Sequence, residues 1–226
     1  MPRLTLFDLD HTLLDGDSDV LWCDFLMQRG VLERADFQAR NERMARDYQA
    51  GTVSAQAFCE FYVATLAARP RAAWLPLRQA FLDEVVAPRL PAAAHTLVRQ
   101  HQDAGDLVVM TTATNRFITE LTASHLGMAH LIATECECDA AGEFTGRTLG
   151  TVNMREGKVV RLQAWLGERR AQLSDFESTL YTDSSNDLPL LEVVDKAVAV
   201  NPDPRLAEVA RDRGWTVLDL HRRAPA

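Results

Sequence analysis

The chain of 226 residues predicts an α/β protein, a doubly wound parallel sheet with an inserted helical cap. Three observations carry that expectation. Leu4-Thr5-Leu6-Phe7 is a short, largely apolar run that reads as a strand buried on both faces. The interval from Asp19 to about Val86 has helical periodicity and no good strand. From Pro91 onward, strand-like and helix-like runs alternate, which implies right-handed crossovers and a parallel sheet.

The opening strand leads into Asp8-Leu9-Asp10-His11-Thr12. Two carboxylates therefore fall at its carboxyl end, the edge where open α/β sheets place their ligands. Carboxylates so close repel each other, and a cation or a shared proton must relieve the repulsion. An ordinary Asp-containing turn has the same composition. Next, Leu14-Asp15-Gly16-Asp17-Ser18-Asp19 is a polar turn suited to capping a helix. In the helical interval Val20, Leu21, Phe25 and Leu26 recur at three and four, as do Phe58, Phe61, Tyr62 and Leu66. Gly30, Gly51 and Pro70 divide it into a few helices. The expected division is a core of residues 1–17 and 88–226 and a helical cap of residues 18–87, with Pro88 and Pro91 marking the return.

Helices are expected over 92–104, 116–126, 158–172, 188–194 and 204–213, and strands over 107–112, 131–138, 179–182, 197–200 and 215–218. Gly105 and Gly127 end the first two helices as left-handed C-caps. Residues 139–146 read as a hairpin turn and its return, and the tail 221–226 as frayed.

Composition is 47% hydrophobic and 25% charged, and 24 basic against 32 acidic residues give a net charge of -8. That balance argues against a nucleic-acid binder or an anionic-membrane surface. It leaves a small phosphorylated partner open, because local charge governs a site. No apolar run reaches the ~18 residues of a membrane span, and the direct start on a strand leaves no secretory signal. The cytoplasm is the expected compartment; nothing in the sequence sets an oligomeric state. Cys23, Cys59, Cys136 and Cys138 form no CxxC pair and are expected to be buried or idle rather than zinc ligands.

Three further features sit where strands end. Thr112 precedes a helix, where its hydroxyl suits either phosphate oxygens or a simple N-cap. Lys158 stands at a helix start, poorly placed for the dipole, and is either solvated or a point charge aimed at a phosphoryl group. Asp183-Ser184-Ser185-Asn186-Asp187 puts two carboxylates and an amide between a strand and a helix. That set suits Mg²⁺, which prefers oxygen ligands in octahedral geometry, and equally suits a capping turn. All four features lie in order along one predicted sheet edge, which favours the chemical reading.

In this arrangement the sequence resembles the haloacid dehalogenase (HAD) superfamily, in the subfamily that contains phosphoserine phosphatases. Asp8–Thr12, Thr112, Lys158 and Asp183–Asp187 match its four motifs, and the helical interval occupies the place of its cap. The resemblance implies a Rossmann-like HAD core and a Mg²⁺-dependent phosphomonoesterase. Asp8 would attack phosphorus, giving an aspartyl-phosphate. Asp8, the Asp10 backbone carbonyl, Asp183 and Asp187 would serve the metal. Asp10 would act as general acid and then base. Thr112, Lys158, Ala113 and Asn186 would hold the phosphate. A mutase or phosphotransferase would use the same motifs.

For the substrate, the resemblance puts Asp17 where phosphoserine phosphatases receive an amino group, though Asp17 is equally suited to capping the next helix. It puts Glu60 where they clamp a carboxylate with arginine, and Arg40, Arg43 or Arg46 are candidates for a replacement cation. Two acids in the pocket imply an amine-bearing ester without a carboxylate, best matched by histidinol phosphate, with phosphoserine as the alternative.

Overall fold

A computed structural model describes residues 1–221, so most of the tail expected to fray lies outside the described residues. Seven strands form one sheet: β1 (Arg3–Phe7), β2 (Leu107–Asn115), β3 (His130–Cys138), β4 (Phe144–Leu149), β5 (Glu177–Thr182), β6 (Lys196–Val200) and β7 (Thr216–Leu218). Their order is β4-β3-β2-β1-β5-β6-β7, and only the β3–β4 hairpin is antiparallel. The chain moves outward from β1 to β4, then crosses back to β5 on the other side of β1. That reversal opens a crevice over the carboxyl ends of β1, β2 and β5.

Register decides what meets there. Phe7 lies opposite Met110 on β2 and Tyr181 on β5. Asp8 therefore comes level with Thr111 and Thr182, and Thr112 and Asp183 stand one residue further along at the same edge. Strand alternation sends Leu4 and Leu6 to one face, where they pack with Leu162, Leu166, Leu190 and Leu206 of α7 (Glu156–Gly167), α8 (Leu188–Leu191) and α9 (Pro204–Arg213). Phe7, Val108, Met110 and Tyr181 face the other way, against Val98 of α5 (Ala92–Asp103) and Phe117 of α6 (Arg116–His125).

The same apolar layer continues into the helical insertion, α1 (Ser18–Gln28), α2 (Arg34–Gln49), α3 (Ala55–Val63) and α4 (Arg71–Phe81). Trp22 and Phe81 meet edge to face at 5.1 Å between ring centroids, and both are fully buried. The helix breaks fall at Gly30, Gly51 and Pro70, as the sequence predicts. A wide turn at Leu82–Val86 and a tight one at Ala87–Arg89 carry the chain back, and Asp15 N donates to Arg89 O at 2.9 Å. That bond ties the two ends of the insertion together.

Four expectations on the elements are corrected. β2 runs past Thr112 to Asn115, slipping register against β3 between those residues, because the β-branched threonines favour extended backbone. The N-cap of α6 is consequently Asn115, whose Oδ1 accepts from Ile118 N at 3.2 Å, and not Thr112. Helix α7 stops at Gly167, well before 172, and the chain turns through Arg170 at a left-handed φ of 56°. Helix α8 ends at Leu191 rather than 194.

Candidate active site

The end of β1 delivers two carboxylates in opposite senses. Asp8 is buried; its Oδ1 lies 2.7 Å from Lys158 Nζ and its Oδ2 accepts from Thr12 Oγ1 at 3.2 Å. Asp10 turns toward the insertion: Oδ1 accepts from Ser18 N at 2.7 Å, and Oδ2 from Thr114 Oγ1 at 2.9 Å and Thr112 Oγ1 at 3.3 Å. A left-handed His11, φ 53°, makes the sharp turn that follows.

The loop after β5 comes up alongside. Asp183 N donates to Thr12 Oγ1 at 2.9 Å, and that hydroxyl lies 3.2 Å from both Asp183 Oδ1 and Asp8 Oδ2. A hydroxyl has one proton, so it satisfies only one of the two carboxylates at a time. Asp187 is buried, and its Oδ2 accepts from Lys158 Nζ at 2.6 Å and Thr182 Oγ1 at 2.7 Å. Lys158 thus sits between Asp8 and Asp187, on the first turn of α7.

Burial raises the proton affinity of these acids. Desolvation pushes Asp8 up to about 7; Lys158 opposes the shift, and Asp187 and Asp10 add to it. Asp10 rises to about 6, by burial and then the charge of Asp17. Asp183 rises to about 8, by burial and then repulsion from Asp8 and Asp187. For Lys158, burial works to strip its proton, but Asp187 and Asp8 overrule it and hold the ammonium above its usual range.

No three His, Cys, Asp or Glu side chains form a preassembled ligand cluster among the described residues. Mg²⁺ asks for one or two carboxylates, with waters completing the octahedron. Asp8 and Asp183, bridged by one hydroxyl and carrying a surplus of negative charge, are an all-oxygen pair of this kind. The residues present fit the ion.

The crevice is a cavity of about 240 Å³. From the core, Asp8, Asp10, Ala113, Lys158, Asp183, Asn186 and Asp187 line it; from the insertion come Tyr48, Phe58 and Cys59. Asp17 lines it too, and at the same time caps α1, its Oδ1 accepting from Val20 N at 3.0 Å. The expectation that it caps the next helix is met. Thr112 is fully buried and does not line the cavity; its hydroxyl lies 3.3 Å from Asp10 Oδ2 and accepts from Thr114 N at 3.2 Å. The Asn186 side-chain oxygen is turned toward the rim, 3.2 Å from Arg155 Nε and 3.5 Å from Tyr48 Oη.

Glu60 is the expectation to correct. It does not line the cavity: it accepts from Gln56 Nε2 at 2.9 Å and Thr148 Oγ1 at 3.2 Å, against β4. Phe58 and Cys59 take the cavity-facing side of α3, and the helical turn carries Glu60 round to the sheet. Arg40, Arg43 and Arg46 are exposed on α2; Arg40 pairs with Asp36 at 3.3 Å and Arg46 with Glu42 at 3.9 Å. None supplies a cation to the cavity.

Sequence reasoning missed Asp19, Thr114, Tyr48, Phe58 and Met154 as cavity residues. Thr114, which hydrogen-bonds Asp10, had a signal in its position two residues past Thr112. The rest carry none, since they arrive from separate helices and a loop.

Buried acids gather around one ammonium at the switch point of a doubly wound sheet. The comparisons give the chain's family. Residues 5–192 match the haloacid dehalogenase-like hydrolases, and the chain belongs to that family. It is 39% identical over 221 residues to a histidinol-phosphatase of Neisseria meningitidis serogroup C, covering 97% of this chain and 100% of the relative. Phosphoserine phosphatase SerB1 of Mycobacterium tuberculosis is 33% identical over 224 residues, with 95% of this chain and 70% of the relative covered. A solved structure of a protein of unknown function from Bordetella pertussis Tohama I superposes with a TM-score of 0.93 at 44% identity, over 97% of this chain and 99% of that one. The chain is a phosphatase of the haloacid dehalogenase-like type. No helix of the described residues is long and apolar enough to cross a membrane.

Proposed function

We propose that the protein is a Mg²⁺-dependent phosphomonoesterase that works through an aspartyl-phosphate on a small amine-bearing ester, histidinol phosphate first among them. The supporting observation is the placement of Asp8. It is the one carboxylate in contact with Lys158 that also shares the Thr12 hydroxyl with Asp183. Bound Mg²⁺, held by Asp8, Asp183 and the Asp10 carbonyl, would neutralise phosphate charge and orient the group.

The chain's own residues do the rest. Asp8 supplies the attacking oxygen. Lys158, tethered by Asp187, sets a fixed positive charge beside it, where negative charge develops in the transition state. Asp187, whose Oδ2 accepts from Lys158 and Thr182, would serve the metal through a water or directly. Asp10, raised to about 6, is matched to giving a proton to the leaving alcohol and then taking one from the hydrolytic water. Thr112 and Thr114 aim it. Ala113 and Asn186 line the cavity and would hold the phosphate. The cap, residues 18–87, closes over core residues 1–17 and 88–226, with the turns at Leu82–Val86 and Ala87–Arg89 as its hinge.

The amine preference keeps its conclusion and changes its reason. Glu60 does not enter, no arginine lines the cavity among the described residues, and its one lysine is already paired; Arg155 stands at the rim, engaged by Asn186 and the Tyr48 ring. Initial rates on histidinol phosphate and O-phosphoserine, with Mg²⁺ and with EDTA, test the reading. Preference for phosphoserine overturns the substrate assignment; undiminished turnover in EDTA overturns the metal. Release of free phosphate separates hydrolysis from transfer to a second acceptor. Asp8→Asn should abolish both turnover and covalently bound phosphate, and normal turnover in that variant would dismiss the mechanism.

A further inference from the structure

We propose that Asp19 is a specificity-determining residue, a second seat for positive charge that selects phosphate esters bearing two cationic groups rather than one. The proposal rests on the phosphatase reading of the same cavity.

Asp19 is the second residue of α1, it is 9% exposed, and it lines the cavity beside Asp17. An acid in the first turn of a helix gains from the helix dipole whichever way it points, so the dipole does not explain its burial. Its hydrogen bonds are long and come from neutral groups: Thr114 Oγ1 lies 3.3 Å from Oδ2 and Asn115 Nδ2 lies 3.4 Å from Oδ1. Neither Asp17 nor Asp19 pairs with a lysine or arginine among the described residues. The cavity's ammonium, Lys158, is taken by Asp8 and Asp187. His11 also lines the cavity.

A buried carboxylate without a cation is expensive, and burial pushes both Asp17 and Asp19 toward the protonated form; a cation that arrives with the ligand would hold them ionised instead. The cavity also holds a surface for a flat group. Tyr48 and Phe58 pack ring to ring at 4.5 Å between centroids, next to Met154, and all three line the same space. Aromatic faces attract planar cations. An alkylamine on Asp17 and a protonable heteroaromatic ring between Asp19 and the aromatic wall would compensate both charges. Thr114 links this seat to the chemistry, since its hydroxyl lies 2.9 Å from Asp10 Oδ2 and 3.3 Å from Asp19 Oδ2. The substrate class is a small phosphomonoester with an amine and a basic ring.

The test is a pair of dissociation constants on the Mg²⁺-loaded protein, read by ligand-observed NMR at pH 6. At that pH an imidazole of ordinary pKa ~6.5 is mostly protonated. The probes are histidinol and 2-amino-1-propanol, which share the amino alcohol and differ in the ring. Wild type should bind histidinol at least about tenfold more tightly, the scale of one charge-assisted contact. In Asp19→Asn that ratio should fall to about twofold or less. Wild type binding both probes alike, or binding neither, overturns the proposal, as does a variant that keeps the wild-type ratio. A ratio compares two ligands on one protein, so general damage from the substitution cancels. If the variant does not fold, the wild-type ratio at pH 8.5 decides: it must shrink as the ring loses its charge, and an unchanged ratio overturns the proposal. Binding is read without turnover, so failure of the phosphatase reading shows separately, as no phosphate released from histidinol phosphate.

Discussion

The ammonium of Lys158 lies 2.7 Å from the Asp8 carboxylate, with both groups buried. Asp187 holds the same ammonium from the other side at 2.6 Å. One cation therefore serves two buried carboxylates, and removing it strands both. We expect Lys158→Ala to destabilise the protein by about 3–5 kcal/mol, the usual cost of breaking a buried pair. It should lower kcat at least ~100-fold through loss of transition-state charge. Lys158→Met should recover part of the stability by refilling the volume and none of the activity. Chemical denaturation and steady-state rates on the two variants check this; an active Lys158→Met would remove the lysine from the mechanism.

The site acids make a prediction about pH and metal together. Asp8, Asp10 and Asp183 are raised in the folded protein to about 7, about 6 and about 8, above the ordinary carboxylate range. The folded state therefore holds protons that the unfolded chain has released. The stabilisation this gives is full below the unfolded pKa, near 4, and is lost as pH rises through the folded values. Metal-free protein should accordingly lose Tm between pH 5 and pH 8. Mg²⁺ competes with those protons, so its stabilising effect should grow over the same interval. Differential scanning calorimetry in EDTA and in excess Mg²⁺ reads both trends, and a metal effect that is flat with pH contradicts them.

Helix α7 offers a backbone test. A Cβ on Gly157 would run into the carbonyl oxygen of Val152, and the neighbour is backbone that cannot swing aside. Gly157 precedes Lys158, so relief of that clash must move the start of α7 and the ammonium with it. Gly157→Ala should cost about 1–3 kcal/mol, as overpacking does, and should lower kcat more than it raises KM. A variant with wild-type kinetics and reduced stability would show that the turn and the lysine are not coupled.

Much of the core was legible because its chemistry sits at strand ends. Asp8, Asp183 and Lys158 each stand where an apolar run or a helix begins or stops, and parallel register does the rest. The expected end of β2 at Thr112 falls three residues short, since its threonine-rich continuation keeps the chain extended to Asn115. Glu60 was misplaced for a different reason: a helix puts adjacent residues about 100° apart, so an alignment through the cap that is right to within one or two residues still selects the wrong face. Asp19 and Tyr48 gave no signal, because the first looks like an ordinary helix-start acid and the second like one aromatic among several. Their significance depends on which elements the fold sets opposite them.

Asn153 shows the same dependence, and it yields the last prediction. It is fully buried in the loop before α7, and its Nδ2 donates at 3.0 Å to Thr111 Oγ1, Thr112 O and Ile132 O. Its backbone N donates to Thr134 Oγ1, also at 3.0 Å. One amide thus joins the ends of β2 and β3, at the point where their register slips and Thr112 meets Asp10. An amide can donate to these carbonyls and a carboxylate cannot. Asn153→Ala should leave buried acceptors unsatisfied at about 1–3 kcal/mol. Asn153→Asp, nearly equal in size, should be worse, because it sets a negative charge among oxygens in the protein interior. The loosened strand end should also shift the acid limb of the kcat profile, since Thr112 and Thr114 orient Asp10. Denaturant midpoints and pH–rate curves for the two variants are the check. If Asn153→Asp proves no less stable than Asn153→Ala, the amide is filling space and its donated bonds do not hold the site together.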